Sequence, residues 1–194
     1  VEMMTLTPHF MKEYAGNERE SITAKFDVFK AEAAKVSKIK LHLAAEYMLD
    51  ANFRTHFRQG FLTLDKAGRH VLCETSYMMY EHDASAMLYE IMLEGLWPVI
   101  AHPERYEYAS KKDYQRWKDK DYLFQLNLLS LAGAYGNGAF IKSHYMLEKG
   151  MYDFVGSDMH NVQNYKHFLP KIKLNKKEMG NLERLLDNNR NLVS

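Results

Sequence analysis

A single cysteine, Cys73, occurs among the 194 residues, so no disulfide can form within the chain. That composition fits a reducing compartment, and we expect a cytoplasmic protein. No apolar run approaches the roughly 20 residues that span a bilayer, and no signal peptide is visible. An excess of one charge sign is also lacking, because 26 lysines and arginines face 25 aspartates and glutamates. Without a basic tract, the sequence predicts neither nucleic-acid binding nor attachment to a membrane surface.

The sequence predicts an α/β fold, because apolar runs of strand length alternate with amphipathic helical patterns. Strands that alternate with helices pair in parallel through right-handed crossovers. The expected strands are 3–7, 39–44, 70–75, 98–101, 122–127 and 153–157, and the expected helices are 17–37, 82–95, 111–119, 138–150 and 175–190. A KAG turn further predicts a hairpin between 61–64 and 70–74. No repeat or linker interrupts the pattern, so residues 1–194 are expected to form a single domain.

Each expected strand ends near a side chain that can bind a metal or form hydrogen bonds. These residues are His9, Glu46, Glu74, His102, Asn127, Asp158 and His160. A TIM-like barrel gathers the carboxyl ends of all its strands around one mouth, where such enzymes keep their sites. An open sheet would bring only a few of them together at its switch point. The number of these residues therefore favours a barrel.

The chemical types in this set point to bound metal ions. Three imidazoles and three carboxylates at buried strand ends would be a heavy charge burden without cations to neutralise them. Mixed nitrogen and oxygen ligands suit manganese, iron or zinc better than calcium. Six ligands also exceed the three protein ligands of a catalytic zinc, so more than one metal is expected. Such sites are suited to the attack of activated water on a phosphoester.

The motifs resemble those of one family. TLTPHF, the glutamates of AAEYMLD and VLCETSY, AHPERY, QLNLLSLAG and GSDMHN follow one another as in the polymerase-and-histidinol-phosphatase (PHP) superfamily. The resemblance is to its manganese-dependent tyrosine-protein phosphatases of capsular and exopolysaccharide synthesis. It extends from residue 5 to about 161, and HPERY and SDMHN are its most diagnostic parts. It implies a distorted TIM-like (β/α)7 barrel with Mn²⁺ at up to three metal positions, iron and zinc being alternatives.

The resemblance also implies roles for single residues. Its metal ligands match His9, Glu46, Glu74, His102, Asp158 and His160, with Glu74 as the bridging carboxylate. Arg105 matches a catalytic arginine that holds the substrate phosphate, which suits the planar fork of a guanidinium. The alternative for Arg105 is a salt bridge to Glu104 or Glu107. His160 is a second catalytic candidate, because it or His102 could donate a proton instead of binding a metal.

One feature of the family is missing from the sequence. Its members begin with a strand that carries a His-x-His motif, and no H-x-H occurs here. The chain also begins with Val1 and runs directly into the strand-like MMTLT. We therefore expect an N-terminally incomplete barrel that lacks its first strand, and the activity of this chain on its own is in question. An open sheet edge would invite pairing with a second copy of the chain.

Three functions remain open at this point. The resemblance implies a protein-tyrosine phosphatase whose partner is the phosphorylated tail of a bacterial tyrosine kinase. A second enzyme hypothesis keeps the fold but acts on histidinol phosphate, another small phosphate ester or the 3′ end of DNA; the near-neutral charge disfavours DNA. The third hypothesis is a non-catalytic PHP-fold protein that serves as a binding subunit, which the missing His-x-His motif would explain.

Overall fold

A computed structural model describes residues 2–11, 13–14, 16–78 and 83–193 of the chain. The strands are β1 (Met3–Leu6), β2 (His9–Phe10), β3 (Lys40–Leu43), β4 (Glu46–Met48), β5 (His70–Glu74), β6 (Trp97–Ala101), β7 (Leu123–Asn127) and β8 (Phe154–Gly156). The α-helices are α1 (Arg19–Ala34), α2 (Phe53–Gln59), α3 (Ala84–Leu93), α4 (Lys111–Lys118), α5 (Gly136–Glu148), α6 (Val162–Phe168) and α7 (Lys176–Val193). Short 3₁₀ turns follow β6, β7 and α6. All strand pairs with a recorded register are parallel, so the predicted α/β class is confirmed.

The six predicted strands and five predicted helices all occur, with ends shifted by a few residues. The first residue of the predicted helix 82–95, His82, lies outside the described residues. Four short elements were missed, namely β2, β4, α2 and α6. Each has seven residues or fewer, which is too short to show a clear hydrophobic period.

The predicted hairpin is wrong, because residues 61–64, all of them described, form no strand. Among the described residues, the expected hairpin is represented by one backbone hydrogen bond between its two segments, from Leu64 N to His70 O. Asp65 closes the turn instead, since its carboxylate accepts from the backbone N–H groups of Arg69 and His70. Phe61 meanwhile packs its ring 4.9 Å from the ring of Tyr47. A side-chain acceptor and an aromatic contact have replaced strand pairing.

The contacts of the chain divide into two compact units. The first holds the described residues up to Thr75 and those from 83 to Pro98, and the second holds Val99–Leu192 with the described part of 76–80. The single-domain organisation therefore stays a prediction. In the part of the chain that the structure describes, no helix is both long and apolar enough to cross a membrane.

In the first unit, β1 pairs with β3, and β2, β4 and β5 pair side by side. Pro8 separates β1 from β2, because proline has no N–H to donate to a ladder. The pairing is carried past it by the bond from Glu46 N to Pro8 O. Buried Phe10, Tyr47 and Phe53 form the apolar core near these strands. The predicted strands 3–7 and 39–44 thus continue into β2 and β4, which begin at His9 and Glu46.

In the second unit, β6, β7 and β8 are neighbours, with Val99 opposite Leu123 and Leu126 opposite Val155. Helix α4 packs against them through Trp117, whose ring lies 6.2 Å from the ring of buried Phe124. The helix begins with a capping box formed by Ser110 and Asp113. These parallel strands place the residues that follow them at one end of the unit.

Candidate active site

The first unit brings three of the predicted metal ligands together. One donor atom from each of His9, Glu46 and Glu74 lies within 4.8 Å of the other two. His9 Nδ1 is 3.1 Å from Glu74 Oε1 and 3.6 Å from Glu46 Oε2. Ligands that each lie about 2.0–2.2 Å from one ion are separated by distances of this order.

Strand pairing places these three side chains. His9 stands opposite Glu46 in the register of β2 and β4, and Met48 stands opposite Glu74 in that of β4 and β5. The backbone of His9 is held in addition by Asn17, whose side-chain amide donates to the His9 carbonyl at 2.8 Å. The donor atoms are therefore carried by paired strands and not by loops, which favours a fixed geometry.

The donor set fits a divalent cation. The side chains of Glu46 and Glu74 are only 4% and 2% exposed, and that of His9 is 22% exposed. Two carboxylates buried beside one imidazole carry more negative charge than that imidazole can balance. One nitrogen and two carboxylate oxygens are a donor set that suits manganese, iron or zinc. The neighbouring Cys73 is not part of this group, and its buried Sγ donates to the Val71 carbonyl at 3.5 Å.

The second unit places Arg105 beside Asp158. Nη1 of Arg105 donates to Asp158 Oδ2 at 2.8 Å, and Asn127 Nδ2 donates to the same oxygen at 2.8 Å. The two side chains of the ion pair are 18% and 13% exposed. The structure thus pairs Arg105 with a predicted metal ligand, and among the described residues its side-chain ion pair is with Asp158 and not with Glu104 or Glu107.

His102 and Asp158 share a strained backbone. Their φ angles are 33° and 42°, in the left-handed region that residues other than glycine rarely adopt. Among the described non-glycine residues, Asp121 is the only other one with a positive φ. Strain of this kind persists where the surroundings enforce it and is concentrated at functional sites. The observation marks the residues after β6 and β8 as functional candidates independently of any motif.

The remaining predicted ligands have different surroundings. His102 is 2% exposed, and its ring lies 5.7 Å from that of Tyr77 and 6.0 Å from that of Tyr106. The side chain of His160 is 65% exposed, with Nδ1 3.4 Å from Asp158 Oδ1. His160 is therefore close to Asp158, whereas His102 packs among aromatic rings. The metal-binding roles of His102, Asp158 and His160 stay predictions.

Glu104 is a central residue of the second unit that sequence reasoning did not assign. It is 1% exposed and accepts three hydrogen bonds, from Ser130 Oγ at 2.7 Å, Tyr152 Oη at 2.9 Å and Asn127 N at 3.0 Å. Burial raises the pKa of the Glu104 carboxyl, and the bond from Ser130 opposes that shift. Its position between His102 and Arg105 in HPERY was the only available signal, and it did not indicate burial.

Two tyrosines beside Arg105 were also missed. The guanidinium Cζ lies over the ring of Tyr77 at 4.6 Å and over the ring of Tyr135 at 4.1 Å from the centroids. Burial raises the pKa of Tyr135. The sequence is rich in tyrosine, with 13 of them, so nothing singled out these two.

Comparison with known proteins places the chain in a family. Residues 1–189 match the family described as capsular polysaccharide synthesis, CpsB/CapC, and the chain therefore belongs to that family. This confirms, at the level of the family, the resemblance inferred from HPERY and SDMHN. The prediction was possible because the motif residues follow one another along nearly the whole chain.

Two relatives and a solved structure describe the likeness further. CapC of Staphylococcus aureus, provisionally named a tyrosine-protein phosphatase, is 24% identical over 177 residues, which are 86% of this chain and 66% of CapC. Tyrosine-protein phosphatase YwqE of Bacillus subtilis is 30% identical over 115 residues, which are 58% of this chain and 45% of YwqE. The chain thus covers less than two thirds of the length of each of these relatives.

The chain also matches a solved protein chain from the crystal structures of YwqE from Bacillus subtilis and CpsB from Streptococcus pneumoniae. These two proteins are described as unique metal-dependent tyrosine phosphatases. The match has a TM-score of 0.74 at 23% identity, and it covers 97% of this chain and 81% of the matched chain. At that identity the likeness establishes a shared fold.

Proposed function

We propose that this chain is the catalytic part of a metal-dependent phosphomonoesterase that removes phosphate from protein tyrosines in capsular or exopolysaccharide synthesis. The observation that carries the proposal is the group formed by His9, Glu46 and Glu74, a preformed set of metal donors on paired strands. The names of CapC and YwqE support the reaction type. The finer fold assignment, a distorted TIM-like (β/α)7 barrel of the PHP type, belongs to the same proposal.

In the first unit, His9, Glu46 and Glu74 would hold the cation. We expect manganese, with iron or zinc as alternatives that the same donor atoms accept. A divalent cation supplies activation of water and polarisation of phosphoryl oxygens. The chain's contribution is to keep both carboxylates out of water and close together, which favours cation binding over protonation or solvation.

In the second unit, Arg105 is the residue we assign to the substrate phosphate. A guanidinium stays charged at all relevant pH values and offers five N–H donors in a planar fork that matches phosphate oxygens. Fixed donors of this kind stabilise negative charge that develops during phosphoryl transfer. Asp158, His102 and His160 complete the proposed set of ligands.

His160 has an alternative role as a proton donor to the leaving group. Its side chain is 65% exposed, so the ring can exchange protons with solvent. The phenol of a tyrosine leaving group has a pKa of about 10, so its departure needs less help from a proton donor than that of an alkyl alcohol. A His160 variant should therefore slow the hydrolysis of alkyl phosphates more than that of aryl phosphates if the residue acts as an acid.

A panel of phosphate esters tests the proposal. The chain is loaded with Mn²⁺ and assayed with a phosphotyrosine peptide, a phosphoserine peptide, histidinol phosphate and a 3′-phosphorylated oligonucleotide. We expect phosphotyrosine to have the highest kcat/KM. A preference for histidinol phosphate would replace the proposed substrate, and the absence of turnover with bound metal would favour the non-catalytic binding protein.

Matched histidine variants test the metal site. His9→Ala should abolish Mn²⁺-dependent turnover and weaken Mn²⁺ binding. His42→Asn is the control, because His42 lies in the same unit and its ring bonds only the Thr63 carbonyl among the contacts described. Equal loss of Mn²⁺ binding in the two variants would contradict the assigned site.

The proposed partner is a protein that carries phosphotyrosine, in the first instance the tyrosine-rich tail of a bacterial tyrosine kinase. We also propose a cytoplasmic location, which the buried thiol of Cys73 supports. Dephosphorylation of such a tail peptide by the metal-loaded chain, compared with a scrambled phosphotyrosine peptide, measures whether the tail is recognised beyond its phosphate.

A further inference from the structure

The guanidinium of Arg105 is in contact with three side chains of its own unit. Nη1 donates to Asp158 at 2.8 Å, and Cζ lies 4.6 Å and 4.1 Å from the ring centroids of Tyr77 and Tyr135. Both ring distances are inside the roughly 6 Å within which a cation is attracted to an aromatic face. The Arg105 side chain is 18% exposed, so solvent weakens these contacts only in part.

Neighbouring contacts restrain the groups around the guanidinium. Asn127 Nδ2 donates at 2.8 Å to the same Asp158 oxygen that Arg105 contacts. Arg105 and Asn127 are therefore both held at one carboxylate oxygen of Asp158. Tyr77 accepts a backbone hydrogen bond at its carbonyl from Glu107 N at 2.8 Å, two residues after Arg105. The backbone of Tyr77 is thus fixed near Arg105, and its ring lies 6.1 Å from the ring of buried Tyr106.

We propose that Tyr77 and Tyr135 are positioning residues that form an aromatic clamp on Arg105 and orient its guanidinium for a phosphate group. The inference rests on the proposed function, because it deepens the role assigned to Arg105 there. An unrestrained arginine has many rotamers and loses that freedom when it binds an anion. A guanidinium already ordered by two rings loses less, so it binds phosphate more tightly.

The ring faces leave the edge of the guanidinium available for an anion. In the described part of the chain, Arg105 donates one side-chain hydrogen bond, from Nη1 to Asp158. Stacking on an aromatic face does not consume N–H donors, because these lie in the guanidinium plane. The clamp can therefore hold the group and leave its remaining in-plane donors for phosphate oxygens.

Phosphate binding by tyrosine variants tests the clamp. Inorganic phosphate is titrated into the full chain in a chelating buffer, and its dissociation constant is measured by ³¹P NMR. Tyr77→Leu and Tyr135→Leu should each weaken phosphate binding by about 3- to 10-fold, the range expected for one lost cation–π contact. Tyr77→Phe and Tyr135→Phe should each bind phosphate as the unaltered chain does, because phenylalanine keeps the ring face that contacts the guanidinium.

Two controls separate the clamp from general damage. Tyr145→Leu removes a similar contact elsewhere in the unit, since Lys111 Nζ lies 4.2 Å from the Tyr145 ring centroid, and it should leave phosphate binding unchanged. In an Arg105→Met background, where binding is already weakened, the leucine substitutions should add nothing. Circular dichroism and thermal unfolding establish that each variant is folded, and the phenylalanine variants keep the test informative if a leucine variant is not.

The outcomes are distinct. Leucine variants that bind phosphate as tightly as the unaltered chain, or that lose as much affinity in the Arg105→Met background, would overturn the clamp. So would phosphate binding that does not depend on Arg105, or no binding at all. If phosphate binding follows the clamp but the metal-loaded chain hydrolyses no phosphotyrosine peptide, the proposed function fails and the clamp stands.

Discussion

The strongest stability prediction concerns Glu104, whose buried carboxylate joins three segments of the second unit. Its oxygens accept hydrogen bonds from Asn127 N, Ser130 Oγ and Tyr152 Oη, at distances from 2.7 to 3.0 Å. A buried donor that loses its partner costs about 1–3 kcal/mol. Glu104→Ala leaves three such donors and a cavity, so we expect a loss of at least about 4 kcal/mol in the free energy of unfolding.

Tyr152→Phe provides the comparison. It removes one hydroxyl donor and leaves Glu104 with its bonds from Ser130 and Asn127. We therefore expect a loss of about 1 kcal/mol in the unaltered background. In the Glu104→Ala background the same substitution removes an orphaned hydroxyl, so it should be neutral or stabilising. The sign of the Tyr152→Phe effect thus depends on whether the carboxylate is present.

Urea unfolding of the four chains measures this cycle. Tryptophan fluorescence follows loss of the native core there, because Trp117 is 2% exposed in the same unit, whereas the second tryptophan, Trp97, is already 42% exposed. Circular dichroism on the same samples shows whether the unfolding transition is shared by the helices. The reasoning is refuted if Tyr152→Phe costs the same in both backgrounds, because the hydroxyl would then not depend on Glu104.

Three further predictions follow from single contacts. Glu74→Gln should weaken Mn²⁺ binding, measured by calorimetry, by at least about 10-fold, since even outer partners of metal ligands are worth that much; unchanged affinity would remove Glu74 from the site. Asp113→Asn should destabilise the chain at pH 7 by about 1 kcal/mol through the capping box of α4. The bond from Ser110 lowers the pKa of Asp113 below 3.8, so the stabilisation by the ionised Asp113 is present above that pH and is lost on further acidification. The unfolding free energies of the unaltered chain and of Asp113→Asn should therefore converge in urea titrations at low pH. The free energy of unfolding of Asp158→Gly should exceed that of Asp158→Ala by about 1 kcal/mol, because a φ of 42° strains alanine and not glycine. Urea titrations measure the difference, and equal unfolding midpoints would argue against that backbone conformation.

Much of the fold could be predicted from the sequence, because hydrophobic runs of four or five residues have one structural explanation when helical patterns separate them. The strands β5, β6 and β7 are almost fully buried apolar runs and were found nearly to the residue. The strands β2 and β4 were missed because each holds only two or three residues after a proline or a pair of alanines. The hairpin was wrong because local turn chemistry outweighed the strand-like spelling of FLTL.

The candidate site was predictable in its chemical types and not in its contacts. His9, Glu46 and Glu74 lie far apart in the sequence, yet the position of each near a strand end was enough to predict that they meet. The pairing of Arg105 with Asp158 was not predictable, because it joins positions 53 residues apart and a nearby glutamate was an equally good partner on paper. The Glu104 side chain is buried and accepts hydrogen bonds from Tyr152 and Ser130, so its carboxylate is engaged there and not in a salt bridge with Arg105.

The left-handed backbone conformation of His102 and Asp158 occurs beside the contacts of Glu104 and Arg105. Each such residue costs of the order of 1–3 kcal/mol and persists only where neighbouring contacts enforce it. After His102, the chain is fixed within two residues by the buried carboxylate of Glu104. At Asp158, the side chain is fixed by Arg105 and Asn127. A positive φ alone does not identify a site, because Asp121 has a φ of 60° in the turn after α4. At His102 and Asp158 the strain coincides with the contacts that hold Arg105 and Asp158 in one geometry, and this coincidence makes the two positions candidates for function.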